Sequence, residues 1–211
     1  MEKKQKYEWK KVEKEIYPTG KKPIISQLPA QTFITIEGEG NPNEPAFGEK
    51  VSALYSLAYA IKMAPKKGIH FPDAFDYAVY PLEGFWSLKD PIEDSPLDKS
   101  KLVYKIMLKQ PEFVTPEVFA EALKLSEKKV STLLLNQLQL ETVEEGLVGQ
   151  ILHKGSFESE PESFGKLAEY LEENGYQRIS KDHKEIYLND FNRTAVENLK
   201  TILRVRIEKV K

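Results

Sequence analysis

The spacing of apolar and polar residues changes several times along the chain, and each change marks an expected element. Residues 30–37 alternate and include β-branched side chains, which indicates a strand. From 51 to 61 the apolar residues recur at helical spacing, so a helix is predicted there. Strands are predicted at 76–80 and 101–110, with a polar loop between them that extends to Ser100. The first half of the chain is therefore predicted as strand, helix, strand, strand.

The same order of elements returns after residue 142. Residues 145–154 predict a strand, and Ser159 with Glu162 is typical of a capping box ahead of an amphipathic helix. A short strand and then the strand 183–188 are expected after that helix. The second half is therefore also predicted as strand, helix, strand, strand.

A short segment recurs in sequence as well as in pattern. Residues 44–48, Glu-Pro-Ala-Phe-Gly, return at 160–165 as Glu-Pro-Glu-Ser-Phe-Gly, with one residue inserted. Both copies stand between a strand and an amphipathic helix, which indicates an internal duplication. We therefore expect an α+β fold with pseudo-two-fold symmetry: an antiparallel sheet, helices on one face, and a central ligand cleft between the halves.

The organisation of the chain follows from these patterns. Residues 1–22 are predicted to be a charged N-terminal lead-in, which Trp9 and Tyr17 attach to the body. Residues 23–211 are expected to form a single domain. Half one would span about 23–112, connecting helices about 113–140, and half two about 141–211.

Composition narrows the chemistry. The 211 residues include no cysteine, which excludes disulfides, cysteine nucleophiles and thiolate metal sites. Lys and Arg total 31 against 33 Asp and Glu, a formal charge of −2, so no nucleic-acid partner is expected. The charged N-terminus is unlike a signal peptide and no apolar run has the length of a membrane span, so a cytoplasmic protein with no membrane partner is predicted.

The strand at 183–188 carries the main candidate for chemistry. Alternation places His183, Glu185 and Tyr187 on one face. A carboxyl group among apolar neighbours costs free energy unless it is paired, protonated or kept for a ligand. The alternative is an exposed face of a two-sided sheet. We expect a pocket, with Glu185 as a base and Tyr187 as a hydrogen-bond donor.

Three aromatic residues are predicted to line that pocket. Trp86, Tyr55 and Tyr104 offer ring faces to an aromatic or cationic ligand. Ordinary core packing is the alternative for each, and Tyr55 in particular belongs to a helical apolar stripe. Trp86 follows the break at Gly84 and is the favoured ligand contact.

Two further polar residues are candidates for ligand binding. Glu83 is a possible second acid, although strict alternation places it on the face opposite Trp86. His153 is expected to face the same cleft as Glu185. A metal site is not expected, because no pair of residues has ligand spacing. No cofactor is predicted, since the Gly38-Glu-Gly40 run lacks the third glycine of a dinucleotide fingerprint.

Several segments together resemble one known family. They are 80–86, Tyr-Pro-Leu-Glu-Gly-Phe-Trp; 109–115, Lys-Gln-Pro-Glu-Phe-Val-Thr; 153–155, His-Lys-Gly; 185–190, Glu-Ile-Tyr-Leu-Asn-Asp; and 201–204, Thr-Ile-Leu-Arg. With the doubled order of elements, this set resembles the GyrI-like small-molecule-binding family. The similarity covers nearly the whole chain and is greatest to a stand-alone branch that resembles the cyclopropanoid cyclopropyl hydrolases.

The resemblance implies a function as well as a fold. A pseudo-two-fold cleft would bind apolar, aromatic or cationic drug-like molecules, with Glu185 in the position of the buried glutamate. The hydrolase branch implies that water is added to a strained three-membered ring of a genotoxic compound, which would protect the cell.

Two other functions stay open. A non-catalytic protein that binds and sequesters such molecules needs the same cleft. Residues 115–138, with a turn at Ser126, also loosely resemble a helix-turn-helix, as a regulator that binds DNA or protein would have. The basic residues of that segment are offset by acidic ones, so helices that cover the sheet are the favoured interpretation.

Overall fold

A nine-stranded antiparallel sheet is the centre of an α+β fold in the computed structural model, which describes residues 6–89 and 98–210. Residues 1–5 of the predicted lead-in and most of the predicted polar loop lie outside the described residues. The strands are β1 (Ile24–Leu28), β2 (Gln31–Glu39), β3 (Leu82–Leu88), β4 (Leu102–Lys109), β5 (Gln139–Val143), β6 (Gly146–Lys154), β7 (Tyr176–Arg178), β8 (His183–Tyr187) and β9 (Lys200–Lys209).

Five α-helices and four short 3-10 helices accompany the sheet in the described part of the chain. The α-helices are α1 (Trp9–Val12), α2 (Pro45–Met63), α3 (Pro116–Ser126), α4 (Thr132–Leu135) and α5 (Glu160–Glu173). The 3-10 helices are Ala64–Lys67, Lys99–Lys101, Phe157–Ser159 and Val196–Asn198. Proline in the first turn of α2, α3 and α5 fits the fixed φ of that position and leaves no backbone donor unpaired.

The strand order confirms the predicted pseudo-two-fold symmetry. The strand order in the sheet is β1-β6-β9-β8-β3-β4-β2-β5, so β8 and β3 meet at the centre. The order of strands outward from the centre is equivalent in the two halves, as a two-fold rotation requires. The repeats of the structure are β2-α2-β3-β4 and β6-α5-β8-β9. The second repeat was predicted to end with the strands that are β7 and β8, so its last strand, β9, is a correction to the prediction. The strand that precedes each repeat pairs with the first strand of the other repeat: β1 pairs with β6, and β5 pairs with β2. The two halves are thus joined at the outer strands as well as at the centre.

Both long helices lie on the same face of the sheet. Leu54 and Leu57 of α2 belong to the larger apolar core, which includes Ile36 and Ile106 of the sheet. Leu171 of α5 belongs to a second core over the other half. Because α2 and α5 cover the outer strands, the space above β3 and β8 is left between them.

Three further local predictions were wrong. The strand predicted at 76–80 is only an isolated bridge, because Asp76 and Ala78 use their backbone groups on Tyr7 of the N-terminal segment rather than on the sheet. The predicted second connecting helix is reduced to the single turn α4. Ser159 makes no cap hydrogen bond to α5, because its hydroxyl donates to the Ser156 carbonyl oxygen instead.

The connecting helix α3 covers a helix rather than the sheet. It packs against α2, with Val118 and Ala122 buried in the shared core. Thr115 accepts a hydrogen bond from the Val118 amide, so the predicted start of this helix is confirmed. No helix within residues 6–89 and 98–210 is long and apolar enough to cross a membrane.

The N-terminal segment crosses the opposite face of the sheet. Trp9 and Tyr17 are buried, with ring centroids 4.7 Å apart. The backbone carbonyl oxygen of Ile16 accepts a hydrogen bond from Arg204 of β9 at 2.6 Å. This segment therefore closes the face that lies behind β8.

Candidate functional site

A cavity of about 660 Å³ opens between the first turns of α2 and α5, above β3 and β8. Its walls are mainly apolar and include aromatic residues from both halves: Phe47, Trp86, Phe157, Phe164 and Phe191. Phe47 and Phe164 are the two phenylalanines of the duplicated segment, so the duplication supplies one wall from each half. A volume of this size and an apolar lining are typical of sites for drug-sized molecules.

Glu185 lies at the floor of this cavity and is hydrogen-bonded at both oxygens. The Tyr187 hydroxyl donates to Oε2 at 2.8 Å. The His183 Nε2 atom lies 3.0 Å from Oε1 and donates to it when that nitrogen is protonated. Trp86 Nε1 donates to the Tyr187 hydroxyl oxygen at 3.0 Å, which completes a short chain of hydrogen bonds. The contacts with Tyr187 and His183 therefore fix the orientation of the Glu185 side chain, with both carboxyl oxygens in acceptor positions.

Tyr187 is a hydrogen-bond donor to Glu185. Burial raises its pKa well above the usual value, and the charge of Glu185 and the hydrogen bond to it add to the increase. The phenol consequently keeps its proton across the physiological range. Tyr187 can therefore hold Glu185 or an oxygen of a ligand, but it cannot act as a base there.

Glu160, at the start of α5, is a buried cavity residue that the sequence analysis did not select as a candidate. It is only 7% exposed, it lines the cavity, and its Oε1 atom has no hydrogen-bond partner among the described residues. Burial raises its pKa to about 9, and the charge of Glu185 contributes to the increase. At neutral pH the carboxyl group of Glu160 therefore keeps its proton, and it shares the cavity with Glu185, whose two oxygens have hydrogen-bond partners.

A sequence signal for Glu160 existed but was not sufficient. Glu160 is the first residue of the second copy of the duplicated segment, where Glu44 is the first residue of the first copy. Glu44, however, is exposed, whereas Glu160 is buried. The two copies differ in burial because Glu160 faces the apolar cavity, which the linear sequence does not reveal.

The structure brings Trp86 into the cavity with Glu185 and Tyr187 but places the other predicted aromatic residues elsewhere. Tyr104 is buried behind Trp86, with ring centroids 5.4 Å apart, and does not line the cavity. Tyr55 lines an adjoining cavity of about 670 Å³ that shares Tyr187 and Phe191 with the first. Tyr104 thus supports the position of Trp86 rather than contacting the cavity.

Glu83 and His153 are also outside the cavity. Glu83 projects from the opposite face of the sheet, as strict alternation along β3 requires, and accepts a hydrogen bond from Tyr17 at 2.7 Å. His153 is 3% exposed, with Nδ1 2.9 Å from Ser163 Oγ and Nε2 2.9 Å from the Ser156 carbonyl oxygen. Both ring nitrogens are thus occupied in joining β6 to the start of α5.

A buried ionic network lies directly behind the cavity. Lys184 points away from it and pairs with Glu83 at 2.5 Å and with Glu145 at 2.8 Å, while Arg204 donates to Glu145 at 2.7 Å. Burial alone would raise the pKa of Glu145, but the charges of Lys184 and Arg204 outweigh that effect and lower it. Two cations and two anions balance, so the strand that carries Glu185 is anchored without net buried charge. The described residues contain no group of three or more His, Cys, Asp or Glu that could hold a metal ion.

An α+β fold with pseudo-two-fold symmetry and an apolar cavity at its centre is typical of a small-molecule-binding protein. The family model of the GyrI-like small molecule binding domain matches residues 21–208, and the chain belongs to this family. The resemblance seen in the sequence is therefore confirmed. No curated protein matches the sequence significantly.

Solved structures extend this comparison. A hydrolase from Listeria innocua is 30% identical, with a TM-score of 0.89, over 97% of this chain and 100% of that one. An uncharacterized conserved protein from the same organism is 31% identical, with a TM-score of 0.89, over 96% of this chain and 100% of that one. The EcmrR C-terminal domain is 12% identical, with a TM-score of 0.50, over 90% of this chain and 98% of that one, which shows a shared fold alone.

Proposed function

We propose that this protein hydrolyses a strained, electrophilic ring in an apolar aromatic molecule of the cyclopropanoid kind. The observation that carries the proposal is the pairing of Glu185 with Glu160 in one aromatic cavity. A carboxyl group that keeps its proton, Glu160, and a carboxyl group held as a hydrogen-bond acceptor, Glu185, are suited to act as acid and base. The similarity to proteins described as hydrolases supports the same class of reaction.

The reaction follows from these two roles. Glu185 takes a proton from a water molecule as the water oxygen attacks a carbon of the three-membered ring. The carbon–carbon bond to that atom breaks, and its electron pair enters the conjugated carbonyl group of the substrate. Glu160 donates its proton to the oxygen on which that negative charge develops, which gives a phenol. One water molecule is added in total, and solvent returns a proton from Glu185 to Glu160.

The neighbouring side chains position the base. Tyr187 and His183 hold one oxygen of Glu185 each, which fixes the direction from which the water molecule is activated. Trp86 holds the Tyr187 hydroxyl in turn and offers an indole face to a flat substrate. The aromatic walls exclude bulk water, so competing reactions with solvent are reduced.

A second function uses the same cavity without chemistry. Aromatic walls from both halves bind flat apolar molecules whether or not a base is present. A protein that only sequesters such molecules would therefore show the same affinity. Turnover separates the two functions.

The decisive experiment incubates a substoichiometric amount of protein with a spirocyclopropyl dienone and follows the water adduct by mass spectrometry. Consumption of many equivalents is expected, and consumption that stops at one equivalent would reject the hydrolase. A Glu185→Gln variant should bind neutral ligands but lose turnover by about 10²- to 10⁴-fold, the range of general acid–base catalysis. The exposed residue Glu162, on the same helix as Glu160, gives the control: Glu162→Gln should retain turnover.

A further inference from the structure

The two carboxyl groups of the cavity have very different surroundings. Glu185 is hydrogen-bonded at both oxygens, by Tyr187 and by His183. Glu160 is more than nine-tenths buried, and its Oε1 atom has no partner among the described residues. A buried carboxyl oxygen without a donor is tolerated far better when the group is neutral. Glu160 is therefore the group in the cavity whose charge a ligand can change.

The charges around Glu160 favour the same assignment. The titratable and charged side chains that share the cavity lining with it are Glu185, Tyr187 and His183 on β8, Glu158 in the preceding turn, Lys181 and Asp182 before β8, and Lys99 before β4. Of these, Glu185 adds to the rise in the pKa of Glu160, after burial. A positive charge placed between the two carboxyl groups would act in the opposite direction.

We propose that Glu160 couples binding in this cavity to a proton, so that an aromatic cation displaces the proton of Glu160 whereas a neutral aromatic ligand leaves it in place. The inference goes beyond the proposed reaction and does not depend on turnover. It makes the cavity selective by ligand charge as a function of pH, with the aromatic walls common to both kinds of ligand.

The two kinds of ligand are then expected to show opposite pH dependence. Since the free pKa of Glu160 is raised to about 9, the affinity for a cation should rise by up to about tenfold per pH unit towards that value and level off above it. The affinity for a neutral ligand should be constant below that value and fall above it, because ionised Glu160 disfavours water exclusion. Each cation bound near neutral pH should release up to one proton.

The test uses two probes of nearly the same shape, the N-methylquinolinium cation and neutral 1-methylnaphthalene, neither of which titrates. Calorimetric titration of the full chain from about pH 6 to about pH 10 gives both affinities, and buffers with different ionisation enthalpies give the number of protons released. Release of a proton with the cation and none with the neutral probe is the expected result. No proton release with the cation, or no cation binding at alkaline pH, would overturn the proposal.

A Glu160→Gln variant provides the matched control, because it is neutral at every pH and keeps His183 and Glu185. Its cation affinity should be low and independent of pH, while its affinity for 1-methylnaphthalene should match the wild-type value near neutral pH. A pH slope that persists in this variant would assign the proton to another group and reject Glu160. If the variant does not fold, the carbon-13 carboxyl resonance of Glu160 in the wild type decides: it must shift to the ionised position when the cation binds.

Discussion

Tyr187 donates its hydroxyl hydrogen to Oε2 of Glu185 over 2.8 Å, although only one residue separates the two along β8. Side chains two positions apart on a strand share a face, so the contact follows from the extended backbone itself. The bond holds a carboxyl group in an apolar cavity in which it would otherwise lack a donor at that oxygen. The base of the proposed reaction and the residue that orients it are therefore encoded in a single strand.

Replacement of Tyr187 by phenylalanine should affect both stability and turnover. The change leaves Glu185 Oε2 and Trp86 Nε1 without their partner, and a lost buried hydrogen bond of this kind costs about 1–3 kcal/mol. Urea denaturation measures that loss, and turnover of the dienone should fall with it. Tyr104→Phe is the control, because Tyr104 is a buried tyrosine outside the cavity. Equal turnover in the two variants would show that the hydroxyl of Tyr187 does not position the base.

Glu160 should make the protein less stable as the pH rises. Its folded-state pKa is raised to about 9 from 4.5, so between these values the folded state binds more protons than the unfolded state. The free energy of unfolding should therefore decrease with pH across this window, by at most about 1.4 kcal/mol per pH unit. Glu160→Gln should remove this contribution, whereas Glu162→Gln should keep it. Parallel urea midpoints for wild type and Glu160→Gln from acidic to alkaline pH would contradict the buried position of Glu160.

The ionic network behind β8 should be sensitive to the loss of one member. Lys184→Met leaves Glu83 and Glu145 with an unbalanced buried charge, and such a change costs about 3–5 kcal/mol. Lys124→Met breaks a surface pair with Glu121, for which little change is expected. The free energy of unfolding of both variants is measured by urea denaturation at neutral pH. A loss for Lys184→Met as small as that for Lys124→Met would mean that water reaches the network.

Two glycines should respond in opposite ways to alanine. A Cβ atom at Gly38 would lie 2.5 Å from the ring of Tyr104, so the ring must move and with it the support of Trp86. A loss of about 1–3 kcal/mol is expected, as for other overpacked sites. At Gly48, within α2, a Cβ atom would have no neighbour within 4 Å, so alanine there should stabilise the helix by up to about 1 kcal/mol. Thermal or urea unfolding of both variants measures these changes in stability. A Gly38→Ala variant as stable as the wild type would show that the ring of Tyr104 is free to shift.

The apolar pattern of the sequence predicted the elements that bury one face. Alternation located the strands that became β2, β4, β6 and β8, and helical spacing located α2 and α5. It also placed His183, Glu185 and Tyr187 on one side of β8, where the structure has them. Strict alternation also placed Glu83 on the face of the sheet opposite to that of Trp86, where the structure has it. Such local results succeed because backbone geometry fixes side-chain direction within an element.

The sequence by itself therefore determined the duplication, the first strand and the helix of each repeat, and the strand that carries Glu185. Only the tertiary structure decided that β1 and β5 cross to the opposite half, that Tyr104 lies behind Trp86, and that Glu160 shares the cavity with Glu185. These are relations between residues far apart in the chain, set by which apolar faces pack together and by which space the packing leaves open. The protonation of Glu160 belongs to the same group, because it depends on burial and on the charge of Glu185 rather than on any neighbour in sequence.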